Sequence, residues 1–107
     1  MAIQKIQTIT LSAVGSSAGF DISKALNASF NITATGVGTN VVVRGEYSLD
    51  RGTTWSNINA ADTTITADGQ AIIPALPNNI SLPLVRLRFV SSSGGTPVIN
   101  ARLRYTQ

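Results

Sequence analysis

Few side chains in this 107-residue chain can do bond-making chemistry. There is no cysteine, so neither a disulfide framework nor a thiolate metal site can form. There is no histidine, which removes the commonest general base and a common metal ligand. The acids are Asp21, Glu46, Asp50, Asp62 and Asp68. They include no carboxylate pair at a defined spacing, no Ser/His/acid set can be drawn, and no phosphate-cradling glycine loop is present. Neither an enzyme nor a cofactor is expected. Asp62 and Asp68 are the oxygen donors a Ca²⁺ ion would draw on. Asp68 stands where a tight turn wants aspartate and Asp62 falls in a loop, so no metal is assigned.

Binding chemistry is better represented. Arg86 and Arg88, then Arg102 and Arg104, alternate with apolar residues near the end of the chain. From residue 71 onward there are four arginines and no acid, a charge of +4. Residues 1–70 carry Lys5, Lys24, Arg44 and Arg51 against five acids, which gives −1. The positive excess therefore sits on one stretch and marks Arg86, Arg88, Arg102 and Arg104 as candidate partner-binding residues. Acidic groups on another protein, including another copy of this chain, would screen their mutual repulsion. Nucleic acid is not expected, because the six aromatics do not interleave with these arginines and no stacking platform is visible.

A second constellation is Ser48-Leu49-Asp50-Arg51-Gly52-Thr53-Thr54-Trp55. Asp50 can accept from backbone N–H groups inside a turn. Gly52 can take a positive φ, and Trp55 can pack its ring over the strands. Ser48, Asp50, Gly52, Thr54 and Trp55 are accordingly assigned to a structural turn.

The elements that position these residues are strands. Period-2 alternation dominates, and no long stretch has a helical period. Strands are predicted at Ile3–Leu11, Phe20–Ser23, Ala28–Thr35, Asn40–Ser48, Thr54–Ile58, Thr63–Ala67, Gln70–Ile73, Leu84–Ser91 and Val98–Thr106. The first has apolar residues on both faces and reads as an edge or inter-subunit strand, with residues 1–19 as an arm. A Ser/Gly loop is expected at Val14–Gly19. Gly36-Val37-Gly38 is read as a break, and Asp68-Gly69 as a two-residue hairpin. Pro74, Pro77 and Pro83 bracket a loop at Ala75–Leu82. The last two strands, joined by Ser92–Pro97, read as a long hairpin with one apolar and one arginine face. The expectation is one domain over residues 1–107, an all-β antiparallel β-sandwich (jelly-roll or Ig-like) of seven to nine short strands.

Composition bears on function class. Charged residues are 12% of the chain against a typical quarter, while 43% are hydrophobic. Such a surface suits a part of something larger better than a free-standing enzyme. The longest apolar runs, such as Val41-Val42-Val43, span three residues, so no membrane helix is expected. The N-terminus lacks the apolar core of a signal peptide. Asn-x-Ser/Thr triplets at Asn27, Asn31 and Asn79 are therefore not expected to carry glycans.

The Ser48–Trp55 segment resembles the Asp box on hairpins of sialidases and other β-propeller proteins, with all five fixed positions matched. The resemblance implies a structural turn remote from any catalytic centre. A propeller needs several blades, and this chain has length for one or two. The order of features over residues 20–107 is similar to small β-sandwich virion proteins of tailed bacteriophages, both capsid decoration and fibre-like. Its carriers are Tyr47-Ser48 running into the Asp50–Trp55 turn, then Leu84–Phe89, a Ser/Gly turn and Val98–Tyr105. That resemblance implies a virion structural protein, foremost a capsid decoration or cement protein bound in many copies to the major capsid protein or another virion protein. It also implies a homo-oligomer, with a trimer favoured. The alternative is a carbohydrate- or receptor-binding module of a tail or fibre, with Trp55 and Tyr47 as the aromatics nearest a sugar site.

Overall fold

A computed structural model of the chain describes residues 3–59, 61–75 and 84–106. The chain is all-β and antiparallel, the class its alternation predicts. Its strands are β1 (Gln4–Leu11), β2 (Gly15–Ser16), β3 (Phe20–Asp21), β4 (Asn27–Ser48), β5 (Ser56–Asn57), β6 (Thr63–Ile65), β7 (Gly69–Pro74) and β8 (Leu84–Thr106). Among the described residues they form one curled sheet of eight strands.

Two long strands organise it. β4 has 22 residues and β8 has 23. They pair from Asn27 opposite Thr106 to Ser48 opposite Leu84. Around the first part of β4 the order is β1-β8-β4-β7. Around its second part, β2 and β3 flank β8, while β5 and β6 flank β4. We call these the first and second halves of the sheet.

The inward faces of the two halves share one core. Phe30, Ile32, Ile73, Ala101 and Leu103 come from the first half, and Val41, Val43, Val85, Leu87 and Phe89 from the second. Gly45 lies where the halves touch: a Cβ there would stand 3.3 Å from Ile73 and 3.6 Å from Phe30. Burial of these side chains is the main stabilising term, at about 2 kcal/mol for each large apolar residue removed from water.

The predicted hairpin of Leu84–Ser91 with Val98–Thr106 does not form. The two segments are consecutive parts of β8, and each pairs with β4. Likewise, Gly36-Val37-Gly38 does not end a strand but lies within β4. The glycines mark a bend where two paired backbones come too close for side chains. A Cβ on Gly38 would overlap the Gly94 backbone, and one on Gly95 would overlap the Gly36 carbonyl oxygen. Gly36, Gly94 and Gly95 also have φ between 65° and 71°, which glycine adopts without steric cost. At this bend the inward set of β4 changes from even positions (Phe30, Ile32, Ala34) to odd ones (Val41, Val43). β8 keeps odd positions inward (Val85, Leu87, Phe89, then Ile99, Ala101, Leu103). The ladder absorbs the mismatch between Val42/Ser91 and Val43/Phe89, leaving Val90 as the extra residue of a bulge.

Asp68-Gly69 does not close a two-residue hairpin either. β6 pairs with Val41–Val43, and β7 with residues 29–34 of β4. Between them the chain crosses from the second half to the first, and Asp68 Oδ1 accepts from the Val37 N–H at 2.8 Å. Of the Ala75–Leu82 loop only Ala75 is described. Pro77, Pro83, Asn79, Met1, Ala2 and Gln107 lie outside the described residues.

Candidate functional site

The candidate residues fall on two outward surfaces, because β8 is one strand and its ends belong to different halves. Arg86 and Arg88 sit on the second half, opposite Glu46 and Arg44 of β4. Arg102 and Arg104 sit on the first, opposite Asn31 and Ser29 of β4 on one side and Thr8 and Ile6 of β1 on the other. The four arginines therefore do not form one ribbon.

The second-half surface is a closed charge network. Arg86 Nε donates to Glu46 Oε1 at 2.8 Å. The Glu46 side chain is 4% exposed, and Arg44 and Arg88 each bring a terminal guanidinium nitrogen within 3.7 Å of its other oxygen. Arg44 in turn makes two hydrogen bonds to Asp62, at 2.7 and 2.9 Å. This pairing holds the Asp62 carboxyl below its ordinary range and raises the Arg44 guanidinium above its own. The Arg86 guanidinium also lies 4.1 Å from the centre of the Trp55 ring, a cation–π contact. Two cross-strand pairings create this network. They put Glu46 beside Arg86, and Val43 beside Thr63 next to Asp62. Neither pairing can be read from local sequence.

The Ser48–Trp55 turn packs against that network and has the geometry its residue types imply. Asp50 accepts from the Thr54 N–H at 2.8 Å, the Thr54 hydroxyl at 2.6 Å and the Ser48 hydroxyl at 2.8 Å. The Thr54 hydroxyl, then the Thr54 N–H and the Ser48 hydroxyl, lower the Asp50 pKa from 3.8 to about 2. The Ser48 oxygen accepts from the Gly52 N–H at 2.8 Å, and Trp55 Nε1 donates to the Gly52 carbonyl at 3.1 Å. Arg51 and Gly52 take φ of 60° and 95°. The Trp55 ring is half-buried. Arg86 covers its face, and its edge is close enough to Gly19 that a Cβ there would meet it at 3.1 Å. A sugar ring could not stack on the face that Arg86 covers.

The first-half outer surface is built differently. Three rows cross its four strands: Ile6-Arg104-Ser29-Pro74, Thr8-Arg102-Asn31-Ile72 and Thr10-Asn100-Thr33-Gln70. The second row, with Arg104, Asn100, Thr33 and Gln70 of the other two, lines an open groove of about 800 Å³. No salt bridge among the described residues involves Arg102 or Arg104. Among the described residues, β1 pairs with β8 alone and β7 with β4 alone, which leaves one edge of each without a strand partner there. Exposed isoleucines mark these edges, Ile6 (48%) on β1 and Ile72 (68%) on β7, with Ile3 (58%) just before β1. The sequence reads residues 3–11 as an edge or inter-subunit strand and residues 70–73 only as a strand; among the described residues both stand at the margin of the sheet.

The two oxygen donors considered for Ca²⁺ are engaged apart, Asp62 by Arg44 and Asp68 by the Val37 N–H. Among the described residues no three His, Cys, Asp or Glu side chains are grouped to hold a metal ion.

The sequence matches no family model and no curated protein. A solved chain reported in "Bacillus endospore appendages form a novel family of disulfide-linked pili" is similar in fold. It aligns with a TM-score of 0.58 and 17% identity, over 98% of this chain and 88% of that one. At that identity the likeness concerns the fold.

Proposed function

We propose that this chain is a structural subunit that works in many copies, joined through the open edges of the first half-sheet. The observation that carries the reading is that β1 and β7 each pair on one side only among the described residues, each with an exposed isoleucine on the same outer face. Unpaired edges are a template for strand addition, and soluble monomers usually blunt them with charge or proline. Here β7 ends in Pro74 and β1 carries Lys5, yet Ile6 and Ile72 remain bare. Pairing β1 of one copy with β7 of the next is a heterologous contact, which closes into a ring or extends into a filament. The fold likeness to a pilus subunit supports the same reading. The chain has no cysteine, so its copies would be held by strand pairing and apolar contact rather than disulfides.

The finer reading is a virion protein of a tailed bacteriophage, decorating the outer shell. Its support is the order of sequence features from Tyr47 to Tyr105 and the low charge of the surface. An appendage subunit is the second reading, favoured by the fold likeness. Sedimentation of purified protein, alone and with phage particles, separates them. Decoration predicts co-sedimentation with particles at concentrations where the protein alone stays in solution. An appendage subunit predicts pelletable filaments of the protein by itself. A strict monomer that pellets in neither case would overturn both.

A further inference from the structure

We infer that the outer face of the first half-sheet is a docking surface for an acidic segment of another protein, with Arg102 and Arg104 as its anchors. The inference rests on the proposed structural role and names the partner's chemistry.

The two guanidinium groups project from the same face of one strand, two residues apart, so their bases are separated by about 7 Å. They stand in the groove beside Thr8, Asn31, Gln70 and Asn100, whose hydroxyl and amide groups can bond a partner's main chain. An extended segment with carboxylates at alternate positions has the matching period, and Arg binds carboxylates through two parallel hydrogen bonds.

The partner's difference from this chain follows from charge. All five acidic side chains are already engaged at home. Glu46 and Asp62 are held by arginines. Asp50 is held in its turn, Asp21 accepts from the Ser23 N–H and Asp68 from the Val37 N–H. A second copy could give Arg102 and Arg104 a side-chain carboxylate only by sharing one that already serves a contact of its own. A single-stranded nucleic acid would want aromatic rings to stack its bases, and none lines the groove.

The test is fluorescence anisotropy with a labelled peptide of alternating glutamate and glycine, at low and high salt. Three proteins are compared: wild type, R102A/R104A, and K5A/K24A, which removes the same net charge elsewhere. Wild type is expected to bind at low salt and to weaken as salt rises. R102A/R104A should bind at least about tenfold more weakly, the loss expected for two charge-assisted contacts. K5A/K24A should lose less than R102A/R104A, since it leaves both guanidinium groups of the groove in place. Thermal melts of all three establish that the variants are folded. Absence of wild-type binding, or equal loss in both double variants, overturns the inference. So does tighter, arginine-dependent binding of an oligothymidine than of the peptide. Light scattering separates this inference from the reading beneath it. R102A/R104A should keep the assembled mass, whereas a fall to monomer would make the face a contact between copies and overturn the inference. I6K, at the β1 edge, should lose assembly and keep peptide binding.

Discussion

Glu46 is the most constrained charge among the described residues. Its buried carboxylate is shared by three arginines, and removing it leaves Arg44, Arg86 and Arg88 crowded without their common anion. Breaking a buried charge network from one side is costly. Glu46→Ala is expected to lower unfolding free energy by about 3 kcal/mol, read as a lower urea midpoint at unchanged slope. The Asp50 turn makes a pH prediction. Its folded pKa, about 2, lies below the ordinary 3.8. A depressed carboxyl stabilises the fold above its unfolded pKa and loses that contribution as pH falls through the folded value. Asp21, held low by the Ser23 N–H, and Asp62, held low by Arg44, act in the same direction. Melting temperature should therefore fall as pH drops from near 4 to near 2, and D50N should flatten part of that slope. An unchanged slope in D50N would mean that the turn's hydrogen bonds do not persist in solution. The turn was legible in the sequence because its donors and acceptors lie within eight consecutive residues. The Glu46 network was not, because Arg86 is 40 residues away and meets Glu46 only through strand register.

At the scale of elements, alternation identified nearly every strand, but glycines were read as punctuation. Gly36, Gly38, Gly94 and Gly95 occur inside paired strands, where backbones cross at a bend. Sequence alone does not separate a turn glycine from a crossing glycine, since both answer a need for missing bulk. That one misreading turned β8 into a hairpin and placed four arginines on one face. Gly38→Ala is expected to unfold the protein or lower its melting temperature severely, because the added methyl would overlap the Gly94 backbone. Gly69→Ala, with no atom nearer than 4.0 Å to its added Cβ, should be close to neutral. Circular dichroism melts of the two variants make the comparison. Similar stability in both would mean that β4 and β8 do not cross so closely.

At the scale of the whole molecule, the sheet satisfies its core while, among the described residues, two strand edges have no partner and one basic face has no salt bridge. The sequence hinted at the first edge through apolar residues on both faces of residues 3–11. It gave no sign of the second, because β7 becomes an edge only when the chain crosses from one half to the other at residues 66–68. The proposed assembly would form at these edges, where Ile6 and Ile72 are exposed. The measurement that tests this most directly is the solution mass by light scattering across a concentration series, for wild type and I6K. Wild type is expected to gain mass with concentration, and I6K to remain an 11.2 kDa monomer with an unchanged melting temperature. A wild-type protein that stays monomeric throughout, or an I6K variant that assembles as fully as wild type, would contradict it.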